Sequence, residues 1–164
     1  MRELLEGRRI GFALRPLFGG VALGLGSGVT ILDLMAWAGW GVRITNPLVV
    51  ASVWLAAAIA VIGVIAAATA VAEMIDAPDE DRGLARLDLV GAAVAVLLYV
   101  ASAALRSLDP GAAAPAPPAF LLALAGLVVL VAGAAMSSLL YAAREWEELE
   151  DVAHVPQRRR RRAS

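Results

Sequence analysis

The chain has 164 residues, 60% of them apolar, and a mean hydropathy of +0.76, more hydrocarbon than a soluble domain of this size can bury. Its formal net charge of −1 conceals a segregation, because the charges gather in an N-terminal arm, one internal loop and a C-terminal tail. The lack of cysteine excludes disulfides, thiolate nucleophiles, thiolate metal sites and iron–sulfur clusters.

The fold expected is all-α, an integral membrane four-helix bundle with short extramembrane loops. Residues 1–16 read as a cytoplasmic amphipathic arm, 17–143 as the four-helix domain and 144–164 as a cytoplasmic charged tail. The first span covers about 17–40 and is interrupted only by Asp33. Asn46-Pro47 marks a turn and a helix start, and the second span, about 48–72, carries no charge. Glu73 and a polar loop through Gly83 follow, and the third span runs over about 87–105, flanked by Asp88 and Arg106. Asp109-Pro110-Gly111 and the Ala/Pro stretch to Pro118 predict a stiff connector outside the membrane. The fourth span covers about 119–143. Each is near the roughly 20 residues that cross a bilayer.

Arginine sets the expected direction. Arg2, Arg8, Arg9 and Arg15, then Arg82 and Arg86, then Arg144 and Arg158 to Arg162 fall on one side, against only Arg43 and Arg106 on the other. The positive-inside bias therefore places both termini in the cytoplasm, in a bacterial inner membrane. The bacterial source is an inference from a chain whose basic residues are all arginine and whose composition is rich in alanine and glycine. Trp37, Trp40 and Trp54 then lie near the outer interface, and Tyr141 and Trp146 near the inner one, as an aromatic belt would have them. Arg8-Arg9, the apolar run and Ala36-Trp37-Ala38 imitate a cleaved signal peptide, but Glu3, Glu6, Asp33 and the length of the run favour an uncleaved helix.

Few residues are candidates for chemistry. Asp33, about 10 Å from the outer end of a span ending at Trp40, is costly in lipid and needs a partner. Arg106 is the first candidate and Arg43 the second. A structural ion pair is the expected role, with a proton or ion pathway as the alternative. Arg15, Glu73 and Asp88 end three helices at similar depth and predict an interfacial charge clamp, with an ion or headgroup site as the alternative. Gly20, Gly24 and Gly28 recur every fourth residue, a small-residue face for close helix packing against an internal helix or a second protomer. Gly63, Ala67, Gly91 and Ala95 offer matching small surfaces. Arg158, Arg159, Arg160, Arg161 and Arg162 form a solvated tail suited to anionic lipid headgroups. No aromatic interleaving or fold supports nucleic-acid binding. The one histidine, His154, lies in the tail, so axial haem ligands and zinc sets are not expected within the bundle. No phosphate-binding Gly-rich loop or Gly-x-Ser-x-Gly elbow occurs. No cofactor and no enzyme activity are expected.

With these residues in view, the chain resembles the bacterial family of predicted membrane proteins known as domain of unknown function 2231. The matching runs are Arg15-Pro16-Leu17-Phe18-Gly19-Gly20 leading to Asp33-Leu34, Ile75-Asp76 with Pro78 and the following basic loop, Ser102 with Arg106, and Leu140-Tyr141. The resemblance covers about 15–144. Family histidines are replaced here by Arg15, Gly20 and Asp88, so any metal or redox centre they hold is not implied for this chain. An Arg15–Asp88 ion pair would replace it. Some members are joined to Rieske-type domains, so the resemblance implies proximity to membrane electron transfer. The function expected is that of a non-catalytic membrane protein, an accessory or structural subunit of a larger complex or a small homo-oligomer, with the bilayer, other membrane subunits or itself as partners. A transporter or channel-like protein using Asp33 is the second reading, and a redox-associated module without its own cofactor the third.

Overall fold

A computed structural model describes the backbone of residues 14–41, 44–76 and 82–154, and the side chains of 17–41, 44–71, 74–75, 82–136 and 138. Among the described residues four helices follow in order: α1 (Leu14–Trp37), α2 (Pro47–Asp76), α3 (Arg82–Ser107) and α4 (Pro117–His154). Each is long and apolar enough to cross a membrane.

The helix ends have local causes. Two glycines in the left-handed region, Gly39 (φ 83°) and Gly41 (φ 72°), terminate α1. Gly39 N donates to Ala36 O at 3.1 Å and Trp40 N to Met35 O at 3.0 Å, the paired bonds of a Schellman cap. Asn46 opens α2: its Oδ1 accepts from Leu48 N at 3.0 Å, and Pro47 takes the first helical position, where no N–H is needed. After α3, Asp109-Pro110-Gly111-Ala112 forms a turn closed by Ala112 N to Asp109 O at 3.3 Å. Inside the apolar helices, Ser27, Thr30 and Thr69 return their hydroxyls to carbonyls of the preceding turn, so none is left unpaired.

Each helix packs on its chain neighbours, and α1 packs on α4, closing a ring of four. The end of α1, the start of α2, the end of α3 and the start of α4 meet at one end, so neighbours run antiparallel. That end, with residues 38–41, 44–46 and 108–116, is the upper end. The core cluster Ala22, Val29, Ala56, Ile59, Tyr99 and Ala123 runs down the axis. Only 17 to 22% of each candidate span is buried inside the bundle. The outward faces are apolar, with Leu97, Val61 and Val128 each more than 60% exposed.

Several boundaries differ from those predicted. The first helix ends at Trp37 rather than 40, because the Gly39 cap stops it before the apolar run ends. Arg82 and Arg86, expected in a loop, lie in the first turns of α3. The continuation of the fourth helix past the apolar run to His154, by contrast, is the extension that the acidic residues Glu145, Glu147, Glu148, Glu150 and Asp151 predict. Pro115 in the Ala/Pro connector is buried, so this stretch packs on the bundle instead of standing off as a spacer.

Candidate functional site

The polar centre of the molecule lies just below the upper end. Asp33 sits four residues before the end of α1, one turn and not two, and Arg106 lies in the last turn of α3. The two carboxylate oxygens accept from Nη1 and Nη2 of Arg106, each at 2.6 Å, in a two-pronged pair with both side chains fully buried. Nη1 also donates to Ser52 Oγ on α2 at 2.7 Å. Nε donates to Ser102 Oγ at 3.1 Å, and Nη2 reaches Ala119 O on α4 at 3.4 Å. A guanidinium has five N–H groups, and here all five are used. The serines are occupied in turn: Ser52 Oγ donates to Val49 O at 2.9 Å and Ser102 Oγ to Ala119 O at 2.6 Å. One arginine thus joins four helices, and its charge is matched locally.

Above it, the two connections are fastened to each other. Asn46, fully buried, donates from Nδ2 to Trp40 O at 3.0 Å and to Ala113 O at 2.7 Å. Trp37 Nε1 donates to Pro115 O at 3.0 Å, and its ring lies 4.8 Å from that of Phe120 at an interplanar angle of 47°. The upper end is closed by these contacts.

Below the arginine, Tyr99 fills the bundle axis. It is fully buried, and its hydroxyl has no hydrogen-bond partner. A Cβ at Gly26 on α1 would collide with that hydroxyl, and one at Gly126 on α4 would stand 2.8 Å from Cε2 of the ring. Two glycines therefore make room for one aromatic ring. Further down, a cavity of about 330 Å³ is bounded by all four helices, from Ile59 and Ala95 beneath the tyrosine layer to Asp88 and Ser138 near the lower end.

The sequence-predicted residues are distributed as follows. Asp33 and Arg106 are brought together. Asp88 lies on the cavity wall, half-buried. The side chains of Arg15 and Glu73, and Arg43 and Arg158 to Arg162 entirely, lie outside the described residues, as do the side chains of Tyr141 and Trp146. The glycine face meets an internal helix only in part. Gly20 and Gly24 are exposed, and a Cβ on either would meet nothing within 4 Å; only Gly28 touches another helix, with a Cβ 3.6 Å from Leu55 Cδ1. Close approach is made instead at Gly26, Gly126 and Gly63, where a Cβ would stand 2.6 Å from Val96 Cγ2. Gly20, Gly24 and Gly28 share one side of α1, which leaves Gly24 exposed, puts Gly20 at the rim of the cavity and sets Gly28 against α2. Ser52, Ser102, Asn46 and Tyr99 were not singled out as contacts. Ser102 had a readable signal, since it lies four residues before Arg106 and so on its face of the helix.

Among the described residues, no group of three or more His, Cys, Asp or Glu side chains could hold a metal ion. Comparison with protein-family models, curated proteins and solved structures returned no match.

Proposed function

We propose that this chain is a non-catalytic integral membrane protein, with four spans and with both termini in the cytoplasm of a bacterial inner membrane. In this reading it serves as an accessory or structural subunit of a larger membrane complex, or as a small homo-oligomer. The membrane placement draws on four apolar helices whose outward faces are hydrocarbon. The direction draws on the arginine bias, which leaves Arg43 and Arg106 as exceptions. The second has a structural reason, because Arg106 is buried against Asp33 and not displayed to either face.

The structural role is carried by one observation: every donor of Arg106 is used, by groups from all four helices. A carboxylate that relays protons or ions has to release its partner, whereas both oxygens of Asp33 are held by this guanidinium. The pair acts as a fastening in this reading. The family resemblance belongs to the same proposal, with charged Arg15 and Asp88 standing where that family has histidines.

Resistance of the chain to alkaline carbonate extraction is expected, and release into the soluble fraction would overturn the membrane reading. Reconstituted in vesicles, the wild-type protein is expected to add no ion flux over empty vesicles. Flux that disappears in Asp33→Asn would transfer the assignment to a transporter. Affinity isolation in mild detergent followed by mass spectrometry is expected to recover a stoichiometric membrane partner or a defined oligomer.

A further inference from the structure

The lower half of the bundle holds a cavity that the fastening above does not use. Its walls are built from the smallest residues of four helices, including Gly19 and Ala22 of α1, Gly63 and Ala66 of α2, and Gly91 and Gly133 of α3 and α4. Small residues ordinarily let helices close together. Here only Gly63 does so, against Val96 of α3: a Cβ on Gly19 or Gly91 would meet nothing within 4 Å, and one on Gly133 only Asp88 Oδ1 at 3.9 Å. Immediately above, the Tyr99 ring is wedged between Gly26 of α1 and Gly126 of α4, which sets the spacing of those two helices.

The dimensions of the cavity point to an occupant. Along α2 it extends from Ile59 to Ala70, about 16 Å at about 1.5 Å per residue. That is close to the depth of one leaflet, half of a hydrocarbon core of about 30 Å. A volume of about 330 Å³ over this length leaves a channel about one hydrocarbon chain wide. Among the described residues its side chains are apolar except Asp88 and Ser138, and the Ser138 hydroxyl donates to Ala135 O at 2.8 Å. Water along the inner length would lack the two to four polar partners it needs, while an unfilled channel would forfeit packing on every side. Of the lining residues, Gly20 on α1 and Ala134 and Ser138 on α4 are exposed. The channel therefore opens between α1 and α4, the neighbouring pair with the least extensive contact.

We propose that this channel is a binding site for one acyl chain drawn from the adjacent leaflet, entering between α1 and α4 and stopping beneath Tyr99. The inference rests on the membrane reading above, and its test separates the two. The full chain in mild detergent is photolysed with a palmitate, and separately with a phosphatidylcholine, each bearing a diazirine on the chain. The expected result is saturable labelling of the wall residues Ala22, Ile59, Ala95 or Leu130 by one or both probes. A glycerophospholipid source is indicated by the second probe and a free fatty acid by the first alone. The double variant Gly91→Leu/Gly133→Leu fills the channel and should reduce this labelling at least tenfold. The smaller Gly91→Val serves if the double variant does not fold, with a loss of at least threefold expected. Labelling confined to outward residues such as Leu97 and Val128, or wall labelling unchanged by the filling variants, overturns the site. Such a failure in a chain that resists carbonate extraction removes the acyl site and leaves the membrane reading in place.

Discussion

Arg106 illustrates what a charge requires when it is withdrawn from water. Its pairing with Asp33 is useful only while both partners remain, since breaking a buried pair leaves an uncompensated charge, at a cost of about 3–5 kcal/mol. Asp33→Asn and Arg106→Gln are each expected to lower the unfolding free energy by about that amount, read by reversible denaturation in mixed micelles. The Asp33→Asn/Arg106→Gln double variant should lose clearly less than the two singles together, because no charge is then stranded. Arg106→Lys keeps the charge but offers three donors from one nitrogen, so it cannot serve Asp33, Ser52, Ser102 and Ala119 at once and should also destabilise. Tyr99 presents the opposite case, a buried hydroxyl without a partner. Tyr99→Phe should raise stability by about 1 kcal/mol or more, the order of the desolvation penalty of an unpaired polar group. Gly26→Ala should destabilise the wild type through that hydroxyl and be largely tolerated in the Tyr99→Phe background. A thermal-shift cycle over the four proteins measures the coupling.

At the scale of elements, the helix starts and stops show what can be read from a chain and what cannot. Asn46-Pro47 was legible as a helix start because both residues act through local backbone chemistry. The second task of Asn46, joining Trp40 O to Ala113 O, was not legible, since Ala113 lies 67 residues away. Asn46→Ala should therefore lose more than the roughly 0.5–2 kcal/mol of a cap alone. Hydrogen exchange is expected to quicken in residues 38–46 and 108–116 together, whereas a cap-only role would affect the start of α2 alone. Charges misled the reading at the other ends. Arg82 and Arg86 marked the edge of the apolar run, but a helix continues through charged turns wherever long side chains can reach water. The edge of hydrocarbon and the end of a helix are different boundaries.

For the whole molecule, a closed upper end and a channelled lower half give the bundle a polarity along its axis. The proposed direction places the fastening toward the outer face and the channel toward the cytoplasm. Because the chain has no cysteine, single-cysteine variants report topology without background. Gly111→Cys, in the exposed upper turn, should react with a membrane-impermeant maleimide in intact cells. Gly83→Cys, exposed in the first turn of α3 with nothing within 4 Å of its Cβ position, should react only after permeabilisation. The reverse pattern would invert the assignment. Gly20 and Gly24, exposed on α1, give the bundle no internal packing, so alanine at either should leave monomer stability within about 0.5 kcal/mol of wild type.

Sequence by itself determined the four apolar spans found among the described residues and the need of Asp33 for a partner, because both follow from transfer energies that act residue by residue along the chain. It also narrowed that partner to two arginines, since few cations lay at a suitable depth. Tertiary structure decided which arginine, and showed that Ser52, Ser102 and the Ala119 carbonyl complete its coordination, because these depend on the rotation of each helix about its axis. The same rotation left Gly20 and Gly24 of α1 exposed and set the irregular pair Gly26 and Gly126 against Tyr99. The channel below is lined by small residues of all four helices, a property of the assembled bundle that no single segment carries.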